Sequence, residues 1–106
     1  MTTPYASEQP ARAAIDALRG LVVLEFGTNW CGICRGAQPL IEDALAAHPQ
    51  WLRMKVEDGS GFALGRSFRV KLWPTLILLR DGVEVGRLVR PNSVDEIDDA
   101  LTRAAA

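Results

Sequence analysis

Two short runs in this 106-residue chain are almost wholly apolar: Leu21–Phe26, broken only by Glu25, and Leu76–Leu79. Runs of this length, rich in Val, Ile and Leu, read as strands buried on both faces. Around them the apolar positions fall at helical spacing. Ala11, Ala14, Ile15 and Leu18 predict a helix from Glu8 or Pro10 to Arg19, capped by Ser7 and stopped by Gly20. Ala37, Leu40, Ile41, Ala44 and Leu45 predict a second helix from Cys31 to Ala47, kinked by Pro39 and weakened at Gly36. Trp51–Val56 alternates as a strand, Asp58-Gly59-Ser60-Gly61 is a turn, and Phe62–Phe68 a short helix. After the strand Thr75–Leu79, Asp81-Gly82 signals a hairpin, with Val83, Val85, Arg87 and Val89 alternating on the return. Ser93 and Glu96 form a capping box. It opens a last helix that buries Val94, Ile97 and Leu101 and frays at Ala104–Ala106. Residues 1–7 read as loose.

Strands alternating with helices imply an α/β fold, a central sheet with helices on both faces. The length points to one domain spanning 1–106, with a core large enough that no disulfide staple is needed. Twelve Lys and Arg against 13 Asp and Glu give a net charge of −1. That balance lacks the basic excess of a nucleic-acid binder. Neither apolar run approaches the length of a membrane span. The first 20 residues lack the basic and apolar regions of a signal peptide. A cytoplasmic location is therefore the expectation.

The only cysteines, Cys31 and Cys34, close too small a loop to staple a fold. They follow a buried strand and open a helix, whose free N–H groups and positive dipole end stabilise a thiolate. Cys31, nearer the helix end, is the candidate nucleophile toward a substrate disulfide. Cys34, one turn on, is the candidate that resolves the mixed disulfide. Three alternatives stay open: zinc shared with His48, a metal or cluster shared across a dimer, and a pair kept for packing.

The stretch VVLEFGTNWCGIC, Pro39 in the following helix, Trp73-Pro74-Thr75 and the hairpin segment LLRDGVEVGRLV together resemble the thioredoxin family over nearly the whole chain. The resemblance implies a mixed sheet of about four strands flanked by helices on both faces. It implies exchange of disulfides with protein substrates, with no bound cofactor and no metal. It also implies a cis Pro74 facing Cys31, with the Trp73 backbone pairing with an extended substrate peptide. A trans proline closing a loop is the plain alternative. Trp30 would form an apolar platform around Cys31, or else fill the core. Glu25 matches the family's buried acid beneath the cysteines, and Arg53 its accompanying cation. Glu25 is thus the candidate proton acceptor for Cys34, unless it packs its stem at a solvated strand edge.

The chain departs from the family pattern at four places. Ile33, between Gly32 and Cys34, stands where reductases have proline. It supplies an N–H that favours a thiolate and a more oxidising potential. Arg90-Pro91 replaces a small pair beside the active-site face, and Arg90 would join Arg35 and Arg66 in a basic rim or simply be one scattered arginine. Trp73 widens the ledge begun by Trp30. The N-terminal segment has little room for a further strand. Gly32, Ile33, Trp30, Trp73, Pro74 and Arg90 are the expected substrate-facing residues. The expected partners are proteins bearing disulfides or thiols, and a thioredoxin-reductase-like or other thiol electron donor. A monomer that binds neither nucleic acid nor membrane is expected. The contrasting function is a peptide-binding or chaperone-like module in which the cysteines are secondary.

Overall fold

The computed structural model describes residues 3–106. In chain order it forms α1 (Arg12–Asp16), β1 (Leu21–Gly27), α2 (Gly32–Ala46), β2 (Trp51–Glu57), α3 (Ala63–Ser67), β3 (Thr75–Arg80), β4 (Val83–Val89) and α4 (Val94–Ala105). The four strands make one mixed sheet in the order β2-β1-β3-β4. β1 pairs in parallel with β2 and antiparallel with β3, and β3 pairs antiparallel with β4.

Strand alternation divides the core in two. Val22, Leu24 and Phe26 of β1 join Ile77 and Leu79 of β3 under Ile15 of α1 and Leu64 of α3. Val23, Leu76, Leu78 and Leu88 pack on the other face against Ala37, Ile41 and Ala44 of α2 and Ile97 and Leu101 of α4. Each fully buried Leu or Ile contributes about 1.5–3 kcal/mol relative to exposure. The same alternation turns Glu25 toward the α2 face, beneath the start of that helix.

Local signals explain the ends of several elements. Asp81 and Gly82 both have positive φ, 50° and 80°, the pattern of a two-residue turn between β3 and β4. Gly82 is required there twice over, because a Cβ would lie 1.9 Å from the Asp16 carbonyl oxygen. Ser93 Oγ accepts the Glu96 N–H at 3.1 Å, and the Glu96 carboxylate accepts the Asn92 N–H at 2.9 Å.

Elsewhere the structure differs from the sequence expectation. The first helix is only five residues long and starts after Ala11, with no side-chain cap from Ser7. Pro10 keeps Gln9 out of the helical region, which excludes a start at Glu8, and Ala11 is itself extended at φ −71°, ψ 153°. Gly20 does not end that helix. It is tied to the hairpin through Gly20 N–H to Asp81 Oδ1 at 2.8 Å. On β4, Val83, Val85 and Val89 face solvent and Leu88 is buried, because β4 is an edge strand and a bulge shifts its register at Leu78/Leu79. The last helix does not fray at Ala104, since Arg80 caps the Ala104 carbonyl at 3.0 Å.

The expected loose start is also corrected. Residues 1–2 of that segment lie outside the described residues. Tyr5 is buried, and Ala6 forms a parallel bridge to Val56, donating to Lys55 O at 3.1 Å and accepting from Glu57 N at 2.9 Å. One bridge is no fifth strand, so the sheet keeps four.

Candidate active site

Cys31 is the N-cap of α2, and its sulfur accepts the Cys34 N–H at 3.3 Å. A sulfur in that position takes one of the helix's unpaired donors and sits at its positive end. It is half-buried, while Cys34 is sealed from solvent. Both are free thiols. Burial pushes the Cys31 thiol up. Hydrogen bonds from the Cys34 side chain, from the Cys34 and Ile33 N–H groups, and the nearby Arg90 guanidinium outweigh it and leave the thiol below its ordinary 9.0. Burial pushes Cys34 up to about 11, and the neighbouring Cys31 adds to the rise. The two sulfurs are thus unequal: one accessible and readily ionised, the other covered and protonated. The Ile33 N–H, which a proline would lack, is one of the groups lowering Cys31.

Trp30 is 71% exposed, which rules out a core-filling role. Its ring meets that of Trp73 edge-on, with centroids 5.8 Å apart, so the Trp73–Pro74 loop lies beside the cysteines. The Trp73–Pro74 bond is cis. Trp73 is held from both ends. Its indole N–H donates to the buried Asp58 carboxylate at 2.9 Å, and its carbonyl accepts Arg90 Nε at 2.9 Å. Asp58 fits there because Gly65 has no side chain: a Cβ would lie 2.1 Å from Asp58 Oδ1. Arg90 has a positive φ of 50°, and both its Nε and its backbone N–H donate to the loop, to the Trp73 and Pro74 carbonyls at 2.9 Å each. Ile33 is also exposed, and Gly32 opens α2 beside it. Arg35 lies exposed on α2, whereas Arg66 belongs to the last turn of α3. Pro39 lies exposed inside α2, where it removes the rung that would end on the Arg35 carbonyl.

Glu25 is fully buried in the central strand, so it does not pack at a solvated edge. Its carboxylate is completely engaged. Arg53 approaches Oε1 with two nitrogens at 2.7 and 2.9 Å. Gln38 Nε2 donates to Oε2 at 2.9 Å, and the Tyr5 hydroxyl donates to the same oxygen. An unpaired carboxylate at this depth would cost several kcal/mol, and the guanidinium with two further donors offsets that cost. Lys55 completes the cluster. It is the cross-strand neighbour of Glu25, donates to Gln38 Oε1 at 2.7 Å, and lies 4.5 Å from the Tyr5 ring centroid.

The cluster therefore gathers the expected Cys34, Glu25 and Arg53, together with Tyr5, Gln38 and Lys55, which sequence reasoning missed. Gln38 follows Cys34 by four residues, and Lys55 follows Arg53 by two. Helix and strand periods alone would have put each beside its predecessor. Tyr5 gave no comparable signal. His48, the one imidazole, bonds to Asp98 at 2.6 Å.

Comparisons with known proteins agree with this arrangement. The family model described as Thioredoxin matches residues 5–103. Thioredoxin of Chlamydia trachomatis serovar D is 36% identical over 84 residues, covering 79% of this chain and 82% of that protein. Thioredoxin H2-1 of Oryza sativa subsp. japonica is 32% identical over 81 residues, 76% of this chain and 58% of its own length. This chain therefore spans little more than half of that relative. The solved structure of thioredoxin 2 from Pseudomonas aeruginosa PAO1 in its reduced form superposes with a TM-score of 0.90 and 50% identity, over 99% of this chain and 97% of that one. In geometry and in kinship, the Cys31–Cys34 pair is positioned for thiol–disulfide exchange.

Proposed function

The chain belongs to the thioredoxin family with its active-site cysteine pair intact, and from that premise we propose that it is a dithiol–disulfide oxidoreductase acting on proteins. The Cys31 thiolate attacks one sulfur of a substrate disulfide and expels the other as a thiolate. Cys34, once deprotonated, attacks Cys31 Sγ, forms the Cys31–Cys34 disulfide and expels the second substrate thiolate. Two electrons pass from the dithiol to the substrate. The sulfurs themselves carry them, so the step calls for no bound cofactor.

The observation that carries this reading is the unequal pair: a half-exposed sulfur capping α2 and a sealed one a turn below it. Glu25 is the terminal acceptor of the Cys34 proton, with Arg53 holding its carboxylate in place. Trp30, Gly32, Ile33, Trp73 and Pro74 form the face that receives the substrate. A peptide strand pairing with the Trp73 carbonyl shares that oxygen with the Arg90 bond or displaces it. Arg90 thereby influences both Cys31 and peptide entry. A thioredoxin-reductase-like or other thiol donor returns the electrons, in a reducing, cytoplasmic compartment. Among the described residues no helix is long and apolar enough to cross a membrane.

Two assays test this. Insulin-disulfide reduction must require both cysteines. Cys34→Ser must accumulate substrate proteins covalently joined to Cys31, and their identity names the physiological targets. Retained reduction by either single Cys→Ser variant would refute the exchange mechanism. The exposed Trp30–Trp73 ledge favours a second reading, a peptide-holding module. Partner binding that survives replacement of both cysteines, without reductase activity in the parent, would select it.

A further inference from the structure

Tyr5 reaches the reacting sulfur from the far end of the chain. Its backbone is fixed by Asn29 in two directions: Tyr5 N–H donates to Asn29 Oδ1 at 2.7 Å, and Asn29 Nδ2 donates to Tyr5 O at 3.3 Å. Asn29 itself stands two residues before Cys31. The phenol then lies against Gly27, where a Cβ would sit 2.7 Å from Tyr5 Oη and 2.8 Å from Cys34 Sγ. The missing side chain at residue 27 is what lets oxygen and sulfur share one small space. The phenol oxygen thus stands beside the Cys34 sulfur on one side and donates to Glu25 Oε2 on the other.

Gln38 fixes the direction of these bonds. Its Oε1 accepts from Arg53 and Lys55, both at 2.7 Å, so its NH₂ group must face the phenol and the carboxylate. Gln38 Nε2 lies 3.2 Å from Tyr5 Oη and 2.9 Å from Glu25 Oε2. It can only donate, sharing its two N–H groups among these two oxygens and the Cys34 carbonyl, also 2.9 Å away. The phenol oxygen is left to receive one further proton, and the phenol O–H points at the carboxylate.

We propose that Tyr5 is a proton relay between Cys34 and Glu25. As Cys34 attacks Cys31, the thiol proton passes to the Tyr5 oxygen while the Tyr5 proton passes to Glu25 Oε2. The phenol begins and ends neutral, and the positive charge leaving sulfur appears on the carboxylate. The relay rests on Glu25 being the terminal acceptor. Burial, followed by the nearby Glu25 carboxylate, holds the Tyr5 hydroxyl well above its ordinary ionisation range, so a free phenolate is disfavoured and the two transfers are concerted.

The experiment is single-turnover reaction of the reduced protein with Ellman's reagent, in which attack by Cys31 releases one thionitrobenzoate and resolution by Cys34 releases a second. Tyr5→Phe keeps the ring and removes the relay. It should leave the first release unchanged and slow the second by ~10²-fold, the scale of a lost general base. Glu25→Gln should slow it similarly, and the double variant should be no slower than the slower single. Tyr5→Phe at the wild-type rate with Glu25→Gln slow would overturn the relay alone. Glu25→Gln at the wild-type rate would overturn the acceptor and the relay with it. Multiplying effects in the double variant would also overturn the relay. In wild-type protein the second release should depend non-linearly on deuterium content, as two protons in flight require. A linear dependence there rejects the relay without recourse to any variant.

Discussion

Gly27→Ala puts one methyl group at the point where the proposed proton path is narrowest. Gly27 lies in the extended β1 strand, in backbone that alanine adopts freely, so any effect is steric. The added Cβ would stand 2.7 Å from both Cζ and Oη of Tyr5 and 2.8 Å from Cys34 Sγ. Comfortable carbon contacts begin near about 3.5 Å, so each partner must retreat by roughly 0.7 Å. Neither has room: Tyr5 is 5% exposed and Cys34 is 0% exposed. Overpacking of this kind costs about 1–3 kcal/mol. For a domain of this size each kcal/mol lowers Tm by about 4–8 °C. Calorimetry should therefore show a loss of at least ~4 °C. Single-turnover kinetics should show a more specific effect. The atoms nearest the new methyl belong to Tyr5 and Cys34, so attack by Cys31 should keep the wild-type rate, while resolution by Cys34 falls toward that of Tyr5→Phe. A variant with unchanged Tm and unchanged resolution would refute the packing and the relay together. Equal slowing of both steps would refute the relay, since general loosening has no reason to spare the first.

Other expectations follow from the same geometry. At pH 7 a thiol near 11 is ionised in about one molecule in 10⁴, and one below 9.0 in more than about one in 10². Iodoacetamide should therefore label Cys31 over Cys34 by more than ~10²-fold in mass mapping, and comparable labelling would contradict the assignment. Because the Cys31 thiol is depressed, attack should rise with pH through a value below 9.0 and then level off. Ile33→Pro removes one N–H from the Cys31 thiolate in a helical turn that tolerates proline. Equilibration with glutathione should give a lower potential; an unchanged or higher value would deny Ile33 that role. Ser93→Ala deletes the α4 cap and should cost about 1 kcal/mol, read as a Tm drop of about 4–8 °C with activity retained.

What could be read from the chain was whatever its chemistry expresses over a few neighbouring residues. Asp81-Gly82 announced a turn because both positions need positive φ. Ser93 and Glu96 announced a helix start because each satisfies an N–H within one turn. Cys31 and Cys34 stood out because a strand precedes them and a helix follows. Glu25 was conspicuous as a charge in an apolar strand, and its guanidinium partner Arg53 was found through the family resemblance. Long-range contacts left no such trace. Tyr5 meets Glu25 across 20 positions and Asn29 across 24, and nothing in a segment of Pro, Tyr and small polar residues encodes those meetings. The same reason hid Asp58, whose link to Trp73 depends on the empty side of Gly65. The first helix was overextended because apolar spacing outweighed the effect of Pro10 on the residue before it.

The single bridge that fastens Ala6 to β2 makes the amino-terminal end a working part of the redox centre. Editing of that end, whether by trimming past Tyr5 or by fusing a bulky tag just before it, would reach the buried acid without altering either sulfur. Preparations that differ only in their leading residues would then turn over at different speeds while titrating for the same number of thiols.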